Sequence, residues 1–456
     1  MRPPLEAATA LAEAHLGRAG LRPVVVAHDI WLAAGLQRAL PSTALACISA
    51  SDAVAAHRAR GTEVFCLAEE IGPAATAGMS SLDLVRHEAT AGFFARLGPN
   101  AVIAFKPSER IAEAVTALGG RLLAAPSSAA RAYENKLAFI AAAERAGVPR
   151  PRWKAQRLPP DVAELQADLG PVVVVQGARG NAGQRTWMVR DQAGLDAVRE
   201  REGGSVVRVG EYIEGVPFTA SGVGFSAPGT GLDRHRVAAA VEPCRQVTGV
   251  SWLTPEGLGS CGNAWGDEGV ASQETEVTRC VRALAADLSA CNYHGIFGVD
   301  FVLAADGPLV IEVNPRMIAS LPVATELEVE AGRAPLLLLH LLEMLGADLE
   351  AVADETATRP VGPATQVILH RLPGDADEPP PGGVYRVAPG EFPVLIRPGG
   401  SLEDLTAGAE MLLVARSAGE PVTAGKEFAR IYCRSPLGED APGLRDLVTY
   451  ARKAPH

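Results

Sequence analysis

The rhythm of apolar and polar positions changes twice along the chain. Over residues 1–125, short aliphatic runs alternate with Ala-rich stretches of helical spacing. "PVVVAHD", "EVFCLAEE" and "NAVIAFKPS" read as buried strands, each followed by a helical segment, and "IWLAAGLQRAL" after the first predicts one amphipathic helix. Strand–helix alternation of this kind predicts a parallel sheet. No G-x-G-x-x-G follows the first strand, so a Rossmann-like unit is expected without the dinucleotide fingerprint.

The middle of the chain reads differently. "NKLAFIAAAERAG" has apolar positions spaced by three and four, and Gly147 is a natural C-terminal stop. "VPRPRW" cannot continue that helix, because proline removes a donor and restricts the residue before it. Next come strand "PVVVVQ", the glycine-rich "GARGNAGQ", strand "RTWMVR" and the short "EYIEG". A strand-rich region from Phe218 to Val250, a long helix through "ETEVTRCVRALAADLS" and the hairpin "GVDFVLAADGPLVIEVNPR" complete this part. "APLLLLHLLEMLGA" predicts a core helix, shorter than the ~18 apolar residues of a membrane span and interrupted by His340 and Glu343. After "DETATRP", short strands punctuated by Pro and Gly predict a small β-rich unit. The expected division is therefore 1–125, 126–345 with a lid over about 150–215, and 346–456.

Composition narrows the class. The 456 residues are 48% hydrophobic and 21% charged, enough to bury large cores. A net charge of −11 lacks the basic footprint of a nucleic-acid binder, although a small anion needs only a local positive site. Seven cysteines without a C-x-x-C pair suggest reduced thiols, and "MRPPLEAATALAEAH" lacks a signal peptide's basic start and apolar run. The expected setting is the cytoplasm, with neither a membrane nor a nucleic acid as partner.

The hairpin carries the chemistry. Alternation puts Asp300 and Val302 on one face of "VDFVL", and Glu312 and Asn314 on one face of "LVIEVN" opposite Leu309, Ile311 and Val313. A two-residue Asp306-Gly307 turn would oppose Asp300 to Val313. A three-residue turn, Ala305-Asp306-Gly307, opposes it to Glu312 and buries a clean apolar face, so that register is expected. Opposed Cβ atoms lie ~5 Å apart, where two carboxylates repel unless a cation joins them. Mg²⁺ suits such oxygen ligands and shares them with phosphates. Pro315 would end the ladder and leave Arg316 beside the metal site. Gly177, Gly180 and Gly183 let backbone amides approach phosphate oxygens, and no G-K-[ST] makes this a Walker loop.

The order of these pieces resembles the ATP-grasp superfamily of carboxylate-activating ligases: a helix with Lys136, Gly-Val-Pro, a strand with a Gly-rich loop, "EYIEG", Gly-Val-Asp-Phe, then Glu-Val-Asn-Pro-Arg. The resemblance covers roughly 126–345. It implies an α/β (α+β) fold with a Rossmann-like N-terminal domain, an ATP-grasp core and a small β-rich C-terminal domain. It also implies Asp300, Glu312 and Asn314 as ligands of Mg²⁺ (or Mn²⁺), Arg316 on the transferred phosphoryl group and Lys136 on the ATP phosphates. The loop glycines and Gln176 would border the phosphates, while Glu211, Tyr212, Ile213 and Glu214 would hold adenine and ribose. Arg245 falls in the region facing the acceptor, where it would hold a second carboxylate; a surface arginine is the alternative.

Two positions depart from the pattern. Gln176 stands where a lysine is common, with Arg179 or Arg185 as replacements for its charge. Pro217 stands where a glutamate often follows the hinge. The implied activity is ATP- and Mg-dependent ligation of a small-molecule carboxylate to an amine through an acyl phosphate. The substrate would be a small amino acid or cofactor precursor, in a chain expected to form a homodimer. "GEPVTAGKEFARIYC" resembles carboligases related to biotin carboxylase, some associated with one-carbon carrier cofactors. Biotin-carboxylase-like carboxylation and a nucleotide-binding module with little turnover are the alternative readings.

Overall fold

The computed structural model describes residues 4–180, 183, 185–225, 238–240, 243–349, 361–406, 408–417 and 419–453. Five parallel strands form the first sheet: β1 (Arg22–Val26), β2 (Ala44–Cys47), β3 (Val64–Cys66), β4 (Asn100–Ala104) and β5 (Arg121–Leu122), in the order β3-β2-β1-β4-β5. The chain leaves β1 toward β2 on one side and returns to β4 on the other. That reversal opens a crevice at the carboxyl ends of β1 and β4, where such sheets receive ligands. Phe105 and Lys106, just after β4, enter the wall of a large cavity there.

"IWLAAGLQRAL" is not one amphipathic helix. It forms two short helices, Ile30–Ala33 and Leu36–Ala39, broken where Gly35 adopts φ +119°. Apolar residues on all sides are buried, and a Cβ at Gly35 would lie 3.2 Å from both Pro322 O and Thr325 Cβ. Neighbouring structure covers the face that helical spacing assigns to solvent.

Four antiparallel strands form a second sheet: β6 (Trp153–Gln156), β7 (Val173–Gln176), β8 (Thr186–Val189) and β9 (Val207–Glu211), in the order β6-β9-β7-β8. The third sheet takes β10 (Val216–Gly224), β11 (Ala238–Ala240), β12 (Cys244–Thr248), β13 (Ser260–Trp265), β14 (Gly295–Ala304) and β15 (Gly307–Asn314). The C-terminal strands β16 (Ala364–His370), β17 (Gly383–Arg386), β18 (Val394–Arg397), β19 (Glu410–Ala415) and β20 (Glu427–Cys433) extend that sheet through β13–β16 pairing.

Helix Glu274–Ala290 buries Val277, Cys280, Val281, Leu284, Ala285 and Leu288, an i, i+3, i+4 stripe packed against β10. Helix Leu336–Met344 is the core helix the sequence predicts. Buried His340 accepts from Ile296 N at 3.2 Å through Nδ1, so its Nε2–H donates to Leu123 O at 3.1 Å. The seven cysteines are free, and no described helix is long and apolar enough to cross a membrane.

Candidate active site

The four-stranded sheet and the first half of the large sheet face each other across a cavity of about 580 Å³. One wall supplies Trp153, Gln176, Arg208, Glu211, Tyr212 and Ile213; the other supplies Thr219, Gln246, Asn263, Asp300, Glu312, Asn314 and Arg316.

The hairpin floor has the expected acid pair by an unexpected route. Asp300 does oppose Glu312, but the turn is the two-residue Ala305-Asp306, with Ala304 paired to Gly307 at φ +117°. That turn sets Phe301 opposite Val310, and a bulge between Asp300 and Phe301 restores the acid pair. The extra residue, Ile311, joins Glu312 in lining the cavity, so Val310 and Val313 enter the core in place of the predicted Leu309, Ile311 and Val313. A bulge changes which faces alternate from that point on.

These carboxylates are crowded and partly neutralised. Gln246 Nε2 donates to Asp300 Oδ1 at 2.8 Å, and Asn314 Nδ2 to Oδ2 at 3.2 Å. Burial, then repulsion from Glu312, pushes the Asp300 carboxyl up to about 6. Lys136 Nζ sits 2.5 Å from Glu312 Oε2 and is itself only 4% exposed, so it is not a solvated helix lysine. Asn135 caps its helix by accepting from Leu137 N and Ala138 N. Asp300, Glu312 and the amide oxygen of Asn314 are hard oxygen donors too few to enclose a cation alone, which fits a magnesium ion sharing its shell with phosphates. Among the described residues, no cluster of three or more His, Cys, Asp and Glu offers a metal an alternative.

Arg316 ends the floor. It donates to Asn314 Oδ1 at 3.1 Å and Met317 O at 3.0 Å, with Nε 3.4 Å from Glu134. It also borders a second cavity of about 290 Å³, which shares Lys106 with the first. At the hinge, Glu211 is engaged by Arg152 through both its N–H and Nε, each at 2.7 Å, and Tyr212 N donates to Val172 O at 3.2 Å. The Ile213 amide has no hydrogen-bond partner among the described residues. Glu214 lies outside the cavity lining.

Gly183, at φ +79°, reaches across so closely that a Cβ there would lie 2.8 Å from Gly259 Cα. Gly177 and Gly180 do not line the cavity, and Asn181, Ala182 and Gln184 of the same loop lie outside the described residues. Neither arginine expected to replace the missing lysine reaches Gln176. Arg185 pairs with Glu202, and Arg179 borders the second cavity. The group beside Gln176 is instead Arg208, whose Nε donates to Gln176 Oε1 at 2.9 Å. Arg245 is corrected as well. Strand alternation gives Gln246 and Thr248 to the cavity and turns Arg245 away to Glu439 at 2.9 Å. His87, in the N-terminal domain, caps a helix by accepting from Ala89 N at 3.2 Å.

Sequence reasoning missed Arg208, Gln246 and Asn263. The available signal was a lone polar residue inside an otherwise aliphatic strand, as in "SVVRVG".

Two antiparallel sheets thus face each other across the cavity, with the acid pair and its lysine on one wall and residues 211–213 on the other. Residues 133–320 match the family model described as ATP-grasp domain. It is 24% identical over 299 residues to the carbamoyl phosphate synthase large chain of Thermus thermophilus, a match covering 63% of this chain and 26% of that one. The chain thus spans about a quarter of that relative's length. Biotin carboxylase from Campylobacter jejuni superposes with a TM-score of 0.60 at 14% identity, over 91% of this chain and 88% of the other. Phosphoribosylamine–glycine ligase from Thermotoga maritima gives 0.55 at 13%, over 95% and 97%.

Proposed function

We propose that the chain is an ATP-dependent carboxylate–amine ligase that forms an amide through an acyl phosphate. The observation that carries this reading is the opposed Asp300–Glu312 pair at the floor of the cavity, with Lys136 on one side and Arg316 at its end.

A carboxylate is a poor electrophile: its leaving group is oxide and its charge repels nucleophiles. In the proposed reaction a substrate carboxylate oxygen attacks the γ-phosphorus of ATP, and the bond to the β,γ-bridging oxygen breaks to release ADP. The amine nitrogen then attacks the acyl carbon, phosphate leaves, and the nitrogen loses a proton. Arg316 holds the transferring phosphoryl group and Lys136 offsets the polyphosphate charge. The Ile213 amide and Tyr212 carbonyl hold the adenine edge. Gly183, seated against Gly259, keeps water from the intermediate. A magnesium ion held by Asp300, Glu312 and Asn314 would neutralise phosphate charge and fix in-line geometry. A small amino acid, the kind of acid named in phosphoribosylamine–glycine ligase, is the substrate class to try first, followed by cofactor precursors.

The test is turnover with ATP, Mg²⁺ and pools of acids and amines, bicarbonate included. ADP and phosphate released only with an acid–amine pair is the expected result, and Glu312→Gln should abolish it while the protein stays folded. Acid-independent turnover, AMP release or an active Glu312→Gln enzyme would sink the assignment. Release dependent on bicarbonate alone would select carboxylation instead.

A further inference from the structure

Arg208 is a buried cation that has hydrogen bonds but no carboxylate partner among the described residues. It is 2% exposed, on strand β9, and its guanidinium stacks 4.4 Å above the Trp153 ring centroid. Nε and Nη2 both donate to Gln176 Oε1, at 2.9 and 2.5 Å, and Nη2 also donates to Ile311 O at 3.0 Å. Nη1 has no partner among the described residues. Burial draws the group down to about 10, with Glu312 the one opposing charge, and Glu312 is already bound to Lys136. A buried charge normally has an ionic partner, because desolvation is expensive without one. Here both Arg208 and Gln176 line the large cavity, so an anion entering it completes the pairing.

We propose that Arg208 is the cation this chain presents to the polyphosphate of its nucleotide, and that Gln176 is the positioning residue that aims it. The inference rests on the nucleotide reading above. It gives the amide at the end of β7 a definite task. A lysine there would repel Arg208, whereas the glutamine oxygen accepts two of its N–H groups and leaves the positive charge unspent for the ligand. Arginine suits the role because its planar fork meets two oxygens at once.

The experiment measures binding of Mg-ATP, Mg-ADP, adenosine and inorganic tripolyphosphate to the full chain and to Gln176→Glu, Arg208→Lys and Arg208→Met. Gln176→Glu keeps both side chains in contact but neutralises the guanidinium. It should weaken ATP, ADP and tripolyphosphate by roughly tenfold or more while leaving adenosine binding and thermal stability unreduced. Arg208→Lys should retain more ADP affinity than Arg208→Met. Equal losses for adenosine and ADP, or Gln176→Glu binding ADP as tightly as the parent, would show that Arg208 only supports the wall and would overturn the proposal. A parent protein that binds no nucleotide would refute the nucleotide reading itself, and this inference with it. Because Gln176→Glu adds an ion pair rather than removing a contact, it stays decisive even if Arg208→Met fails to fold.

Discussion

Replacing Asp300 with Asn should make the metal-free protein more stable while abolishing its chemistry. In the ligand-free cavity Asp300 faces Glu312, and burial together with that repulsion raises its carboxyl from 3.8 to about 6. The folded pKa is raised, so this group's stabilising contribution is complete below about pH 4 and is lost as pH rises through about 6. A shift of roughly two units at ~1.4 kcal/mol each bounds the loss at about 3 kcal/mol. Water in the cavity screens the charges, so the realised gain at pH 7.5 should be about 1–2 kcal/mol. Asn keeps an acceptor for Gln246, and if Asn314 turns its amide to accept from the new side chain the cost is one hydrogen bond, from Arg316 to Asn314 Oδ1. The assay is urea denaturation with chelator and again with Mg-ATP. The parent should gain stability from Mg-ATP and Asp300→Asn should not. If Asp300→Asn is less stable than the parent in chelator, the hydrogen bonds outweigh the repulsion, and the acid pair is not a site waiting for a cation.

Gly183→Ala should raise the KM for ATP several-fold with little change in melting temperature. The substitution costs ~1–2 kcal/mol at φ +79° and drives a methyl into Gly259, which unseats the loop; an unchanged KM would mean that the contact does not govern access. Glu328, buried and pushed up to about 8, should destabilise the fold as pH rises from about 4.5 to 8. Glu328→Gln keeps an acceptor for Leu336 N, so its stability advantage over the parent should grow by a few kcal/mol between pH 5 and 8.5 in denaturant titrations. An advantage that stays constant with pH would place the proton elsewhere.

Periodicity made much of this readable. A period of two placed Asp300, Glu312 and Asn314 toward one side, and the expected opposition of Asp300 to Glu312 is present, reached through a bulge that sends Ile311 to the cavity. The bulge beside Asp300 was not legible, because a plain three-residue turn and a two-residue turn followed by one bulge both oppose Asp300 to Glu312. Arg208 was overlooked for a related reason. A single arginine in an aliphatic strand reveals its depth only when a second sheet, here carrying Ile311 and Glu312, closes over it. Arg245 shows the converse: its region was placed near the acceptor, but its face was fixed by strand phase. The run "IWLAAGLQRAL" has helical spacing, and only Gly35 pressed against Pro322 explains its division into two turns.

The measurement that bears most directly on the central claim is transfer of oxygen from acid to phosphate. A carboxylate substrate identified from the pools would be labelled with ¹⁸O on both carboxyl oxygens and turned over with ATP, Mg²⁺ and amine. Acyl phosphate chemistry predicts one labelled oxygen in each phosphate released, with ADP free of label. Label appearing in AMP, or unlabelled phosphate released alongside a labelled amide product, would contradict the account.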